Sequence, residues 1–141
     1  MTLRIDGARL FDCVQATWNL LEPSAGSELA AARHQGIGVI VKEALANGRL
    51  AGRDAGPAAK ASVLEREARR LDTTADALAL AAALAQPWAD VVLSGAATAS
   101  QLVSNVRALD VAWDDQAWAA LATLAEEPAA YWQKRSRLAW N

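Results

Sequence analysis

One stretch of the sequence joins a buried-strand pattern to a small-residue turn and a helix start. Val92, Leu93 and Ser94 run into Gly95, Ala96 and Ala97. Thr98, with Gln101 three residues on, then forms a capping-box pattern at the start of a helix that carries Asn105. A helix start leaves backbone N–H groups without intrahelical acceptors and presents the positive end of the helix dipole. Small residues before it let an anion approach the backbone closely. The chemistry this arrangement offers is phosphate binding. The same pattern also serves as a tight strand-to-helix turn that binds nothing.

Other residues of chemical interest stand alone. Lys42 and Glu43 directly follow an apolar run, where they read either as active-site charges at a strand end or as a pair neutralising itself at the rim of a sheet. Arg49 and Arg53 read as phosphate-reaching cations or as solvated loop charges. Cys13 alternates onto the face of Gln15 and reads as a small core residue, because no base accompanies it. Trp18, at a strand end, lines a pocket or packs. His34 falls at the end of a helix, where the dipole favours it, and Tyr131 falls in the tail. No Ser/His/Asp triad, Cys/His pair or metal-ligand spacing can be assembled, so no catalytic or metal-binding residue is assigned.

The elements that must position these residues follow from periodicity. Phe11 to Trp18 is a β-type run with Val14, Ala16 and Trp18 on one face and Cys13, Gln15 and Thr17 on the other. A short helix over Ser27 to Gln35, with Leu29 and Ala32 inward, ends at Gly36. Ile37 to Val41 is a continuous apolar run and predicts a strand buried on both faces. A loop to Gly56 precedes a helix from Pro57 to Leu71, with Leu64, Ala68 and Leu71 inward. Glu65, Arg66, Glu67, Arg69 and Arg70 fall on its solvated side, Glu65 and Arg69 paired at i,i+4. Thr73, with Asp76, starts a helix that is apolar all round. Asp90 to Ser94 is a third strand. The next helix carries an apolar stripe of Leu102, Val103, Val106 and Leu109. Asp114 caps a last helix, with Trp113 stapled onto Trp118, and Pro128 closes it. The tail from Tyr131 has no clear period.

Strands alternating with helices call for a parallel sheet with right-handed crossovers. The 141 residues suit a single domain over 1–141. Alanine makes up about a quarter of the chain, which favours helices. A net charge of −2 supplies no field to attract nucleic acid or an anionic membrane. Its one cysteine excludes a disulfide framework. The start of the chain lacks a signal-peptide apolar region and the apolar runs are short for a membrane span, so the expected location is the cytoplasm.

Three motifs in order resemble the aldo-keto reductases: Val14 and Gln15 with Trp18 to Leu21; Gly36 through Lys42, Glu43, Leu45, Asn47 and Gly48 to Leu50; and Leu93 to Ala97 with Gln101, Leu102 and Asn105. The ending, with Tyr131, Trp132, Arg135, Ser136, Trp140 and Asn141, also looks like a family C-terminus. The resemblance covers nearly the whole chain and implies the C-terminal half of that family's (β/α)8 barrel. The fold class is then α/β, a half TIM barrel of three parallel strands with outer helices.

What the resemblance implies for function is NADP(H) binding. It places Gln15 at the nicotinamide carboxamide and Leu45 and Asn47 along the pyrophosphate. It places Gly95, Ala96, Gln101 and Asn105 at the 2′-phosphate and adenine, in agreement with barrel phosphate sites after strands seven and eight. Two positions depart from the family pattern: Lys42 stands where a tyrosine stacks under the nicotinamide, and Gly95 and Gln101 stand where basic residues clamp the 2′-phosphate. The family's Asp, Tyr, Lys and His tetrad belongs to the first half of the barrel and has no counterpart here. The expectation is the cofactor-binding half of a carbonyl reductase, inactive alone. The alternative is a stand-alone, non-enzymatic half-barrel module that dimerises or binds a protein partner. With both sheet edges bare, the expected partner is a second copy or a complementary half-barrel. Val14, Val39, Val41 and Val92 are the residues expected on the open inner face.

Overall fold

The computed structural model describes residues 3–52 and 58–138. Arg53, Gly56 and Pro57, and Trp140 and Asn141 in the tail, lie outside the described residues. The chain opens on a hairpin, β1 (Arg4–Ile5) and β2 (Ala8–Arg9), paired antiparallel. Its two-residue turn, Asp6 and Gly7, takes positive φ at both positions, the mirror-image turn whose twist matches a hairpin and which Asp-Gly favours. Strand β3 (Cys13–Thr17) follows, then helix α1 (Gly26–His34) and strand β4 (Gly38–Lys42). A kinked 3-10 segment over Ala46–Ala51 occupies part of the expected loop. Helices α2 (Ala58–Arg70) and α3 (Ala75–Leu84) lead to the short strand β5 (Val91–Val92). Helix α4 (Ala99–Val106), a 3-10 turn (Arg107–Asp110), α5 (Asp115–Ala122) and α6 (Pro128–Arg135) complete the described chain.

The sheet order is β3-β4-β5, all parallel. Register places Gln15 beside Ile40, and Ile40 beside Val91. The arrangement is an open segment of an α/β barrel, with helices on one side of the sheet only. Helix α3 is its central support. Ala77 through Ala83 are all buried, because small side chains let the helix lie close on the sheet.

Three expectations about burial are corrected. Val39 and Val41 are fully buried, and Val14 and Val92 are half-buried against the same cluster as Trp18, Leu29, Ala77 and Leu80. These valines face the helices. The open inner face carries the alternate residues: Cys13 and Gln15 exposed, Ile40 half-buried, and Val91 and Leu93 exposed. The stripe of α4 is also not inward. Leu102, Val103, Val106 and Leu109 are exposed, and the buried residues there are Asn105 and Ala108. Cys13, expected in the core, is exposed.

Several local readings hold. Gly36 takes φ +73° after α1. The Asp114 carboxylate accepts from the Ala117 amide at 2.8 Å, and Trp113 meets Trp118 edge-on at 6.2 Å. The Glu65–Arg69 pair forms at 3.8 Å. The α3 cap falls one residue later than read, at Thr74, without a side-chain cap. Pro128 opens a helix rather than only closing one: Glu127 caps α6 by accepting from the Ala130 amide, and proline takes the first turn.

Candidate nucleotide site and the polar knot beside it

The turn after β5 is built as its sequence suggests. Gly95 sits at φ +63°, and a Cβ added there would meet nothing within 4 Å, so the turn is open to solvent on that side. The Thr98 hydroxyl caps α4 by accepting from the Gln101 amide at 3.2 Å. The Gln101 side chain reaches back and accepts from the Ala97 amide at 2.8 Å. Asn105, buried, donates from Nδ2 to the Ser94 carbonyl at 3.1 Å, and the Ala96 amide leans on the Ser94 hydroxyl at 3.5 Å. Gln101 and Asn105 therefore shape the turn, while Gly95 and Ala96 form its surface.

The remaining expected positions lie apart from this turn. Gln15 is exposed at the middle of β3, in a shallow depression with Leu3, Phe11, Cys13 and Val14. Leu45 is half-buried against both core clusters, so its contribution to any ligand is backbone. Asn47 is exposed with φ +58°. Trp18 packs, 2% exposed, edge-on to Trp88 at 5.7 Å. His34 is the exposed last residue of α1.

At the C-terminal ends of β3 and β4 the structure holds a polar knot. Asn19 is its centre and is fully buried. Its Oδ1 accepts from the Leu21 amide at 2.9 Å and the Glu22 amide at 3.0 Å. Its Nδ2 donates to the Glu43 carbonyl and to the Tyr131 hydroxyl, both at 3.0 Å. Burial pushes the Tyr131 hydroxyl up from its ordinary pKa, against the hydrogen bond from Asn19. The Glu43 carboxylate does not pair with Lys42. It accepts two hydrogen bonds from Arg135, each 3.0 Å, and this pairing raises the guanidinium pKa. Lys42 makes no ion pair among the described residues.

Arg49 is 4% exposed, not a solvated loop cation. It grips both Glu126 oxygens, at 2.5 and 3.1 Å, and lies 5.6 Å over the Tyr131 ring. Although burial opposes it, Arg49 holds the Glu126 carboxyl below its usual range. Glu67, expected on a solvated face, is 2% exposed between Arg70 at 2.7 Å and Arg66 at 3.2 Å. The hydrogen bond from Arg70 lowers its pKa. The burial of Asn19, Glu22 and Glu67 and the Tyr131–Asn19 link went unread in the sequence. Glu127–Pro128, a cap followed by a first-turn proline, was the one local signal that the tail continues as a helix.

Parallel strands joined by helices, with a glycine turn and a capped helix after the last strand, define a segment of a β/α barrel. The family model described as the aldo/keto reductase family matches residues 5–126. The chain belongs to that family. Among solved structures it is similar to an aldo-keto reductase from Bacillus halodurans in its apo form, with a TM-score of 0.65 and 22% sequence identity. The match covers 82% of this chain and 44% of that one, so this chain spans less than half the length of that relative. A comparison with curated proteins finds no match.

Proposed function

We propose that the chain is the nucleotide-binding part of an NADP(H)-dependent aldo-keto reductase and performs no carbonyl reduction by itself. The observation that carries this reading is the β5–α4 turn, where left-handed Gly95 is open to solvent and the Thr98 cap and the Asn105–Ser94 bond fix the start of α4, with the Ala97 and Gln101 amides bonded inside the turn. A terminal phosphate fits this open, small-residue surface. The nicotinamide end fits less well: Gln15 offers an amide on the open face, but Lys42 supplies no ring on which to stack. Arg49, committed to Glu126, leaves the pyrophosphate to the backbone around Leu45 and Asn47. NADPH supplies a hydride to a carbonyl when bound in a complete barrel. This chain's own part is to hold the adenosine 2′-phosphate. The proton donor that carbonyl reduction requires has no counterpart here, since Tyr131 is buried against Asn19.

Amide NMR titration with 2′-phospho-ADP-ribose tests the reading. The Gly95, Ala96 and Gln101 signals should shift first, and more than with ADP-ribose lacking the 2′-phosphate. If no amide of that turn moves at millimolar ligand, the turn is structural only. NADPH absorbance with reactive aldehydes should stay at background, and a rate abolished by Gln15→Ala would contradict the assigned inactivity. The exposed ridge of α4 favours a second reading, that the chain is a non-enzymatic half-barrel module whose role is association.

A further inference from the structure

We infer that helix α6 is a clamp that holds the loop after β4 in a strained, ligand-ready conformation, and that Arg135 is a positioning residue for a pyrophosphate-bearing ligand, acting through Glu43 without touching the ligand. The inference rests on the nucleotide reading above and adds the device that shapes one of its two contact regions.

The loop from Glu43 to Gly48 has an uncommon backbone. Five non-glycine residues among those described take positive φ, and three of them lie here: Glu43 at +55°, Ala46 at +48° and Asn47 at +58°. The other two, Asp6 and Asp72, are of a type that tolerates left-handed backbone, as is Asn47. Glu43 and Ala46 are not, because their side chains offer no local hydrogen bond to offset the crowding at Cβ. Such a segment persists only where its surroundings over-determine it.

The C-terminal segment supplies that hold at both ends of the loop. At the start, the Glu43 carboxylate takes two hydrogen bonds from Arg135, each 3.0 Å. The Glu43 carbonyl accepts from Asn19 Nδ2, itself bonded to the Tyr131 hydroxyl. At the far end, Arg49 is gripped by Glu126 and lies over the Tyr131 ring. Glu126 is anchored in turn, its amide donating to the Leu21 carbonyl at 2.8 Å. The contacts of Arg135 and Tyr131 both come from one face of α6.

The held loop presents a donor. The Ala46 amide turns inward to the Glu43 carbonyl at 2.8 Å, and the Gly48 amide to the Leu45 carbonyl at 3.0 Å. Asn47 between them is exposed, and its amide has no acceptor among the described residues. Backbone strain and an outward donor thus meet at the C-terminal end of a barrel strand, the face on which barrel ligands bind. A phosphate oxygen is the acceptor that backbone amides in such turns take. A clamped loop meets that oxygen already ordered. A released loop binds only in proportion to the time it spends in this conformation.

Amide NMR of the full chain tests this with two ligands. Adenosine 2′-monophosphate lacks a pyrophosphate and should move the Gly95 and Ala96 signals alone. In the parent, 2′-phospho-ADP-ribose should move those signals and also Asn47 and Gly48. Arg135→Met should bind 2′-phospho-ADP-ribose about fivefold more weakly if the released loop keeps its conformation about a fifth of the time. The Asn47 and Gly48 shifts should shrink, and adenosine 2′-monophosphate should bind as before. The exchanged pair, Glu43→Arg with Arg135→Glu, should restore the loop shifts. If Arg135→Met fails to fold, Glu43→Gln, which keeps the shape and loses the charge, makes the same prediction. A parent whose turn signals move while Asn47 and Gly48 stay still would overturn the clamp and leave the nucleotide reading standing. A variant that binds both ligands like the parent, one that weakens both alike, or an exchanged pair that restores nothing would do the same. A parent in which no signal moves with either ligand would overturn the nucleotide reading and the clamp with it.

Discussion

Asn19→Ala removes the centre of the knot at the strand ends, and its cost can be worked from the partners it leaves. The Glu22 amide keeps the Asn19 carbonyl at 3.1 Å, and the Glu43 carbonyl keeps the Ala46 amide at 2.8 Å. The Leu21 amide and the Tyr131 hydroxyl lose the partners described above, and both residues are buried. Two stranded buried groups at about 1–3 kcal/mol each give roughly 2–6 kcal/mol, centred near 4. Against a total of about 7–21 kcal/mol for a domain of this length, that is a large fraction. It corresponds to a fall in Tm of about 12–16 °C. Tyr131→Phe should cost only about 1 kcal/mol, since it strands one N–H of Asn19 whose other N–H stays bonded. The double variant should cost less than the sum, because removing the hydroxyl also removes the stranding penalty. Urea unfolding of parent, both single variants and the double variant measures all four corners. An Asn19→Ala cost below about 1 kcal/mol, or strict additivity with Tyr131→Phe, would refute the knot as a coupled unit.

Two further outcomes follow from charge and backbone geometry. Glu67 has a folded pKa below the ordinary glutamate value of 4.5, so its contribution is fully present above that value and is lost as pH falls through the folded one. The urea midpoint of the parent should drop as the pH is lowered below about 4.5, and Glu67→Gln should flatten that drop; an unchanged slope would deny Glu67 a role. Gly95→Ala should cost about 1 kcal/mol from left-handed strain alone, since no atom lies near the added Cβ. Thermal melts should show Gly95→Asn to be milder, and equal melts for all three would show the turn to be unstrained.

The legible parts of this fold are those set by near neighbours. The turn from Ser94 to Gln101 is specified within eight residues: a glycine for positive φ, a threonine for the cap and a glutamine to close the box. The Asp114 cap and the Trp113–Trp118 staple are equally local. Periodicity also grouped Leu102, Val103, Val106 and Leu109 correctly onto one face. It cannot say what covers that face, and among the described residues nothing does. The same limit misled the reading of Val39 and Val41. An apolar run without polar alternation does not show which side of a sheet meets helices and which is open.

The polar knot was illegible for a different reason. Asn19 finds Tyr131 at a separation of 112 residues, Glu43 finds Arg135 at 92, and Arg49 finds Glu126 at 77. Taken alone, each of these charged residues is most simply read as solvated, because burial is costly without a partner and sequence shows no partner at that range. In the folded chain α6 brings both Tyr131 and Arg135 to the strand ends, and Glu126 just before it meets Arg49. Glu43 and Arg49, which read as candidates for a ligand, are thereby spent on holding the C-terminal helix, whereas the small-residue turn after β5 stays open at Gly95. The nucleotide binding proposed above would then rest on backbone amides rather than on Arg49. On that proposal the affinity should be weak and selective for the terminal phosphate, since amide dipoles at a helix start supply only a fraction of the charge that a cation would.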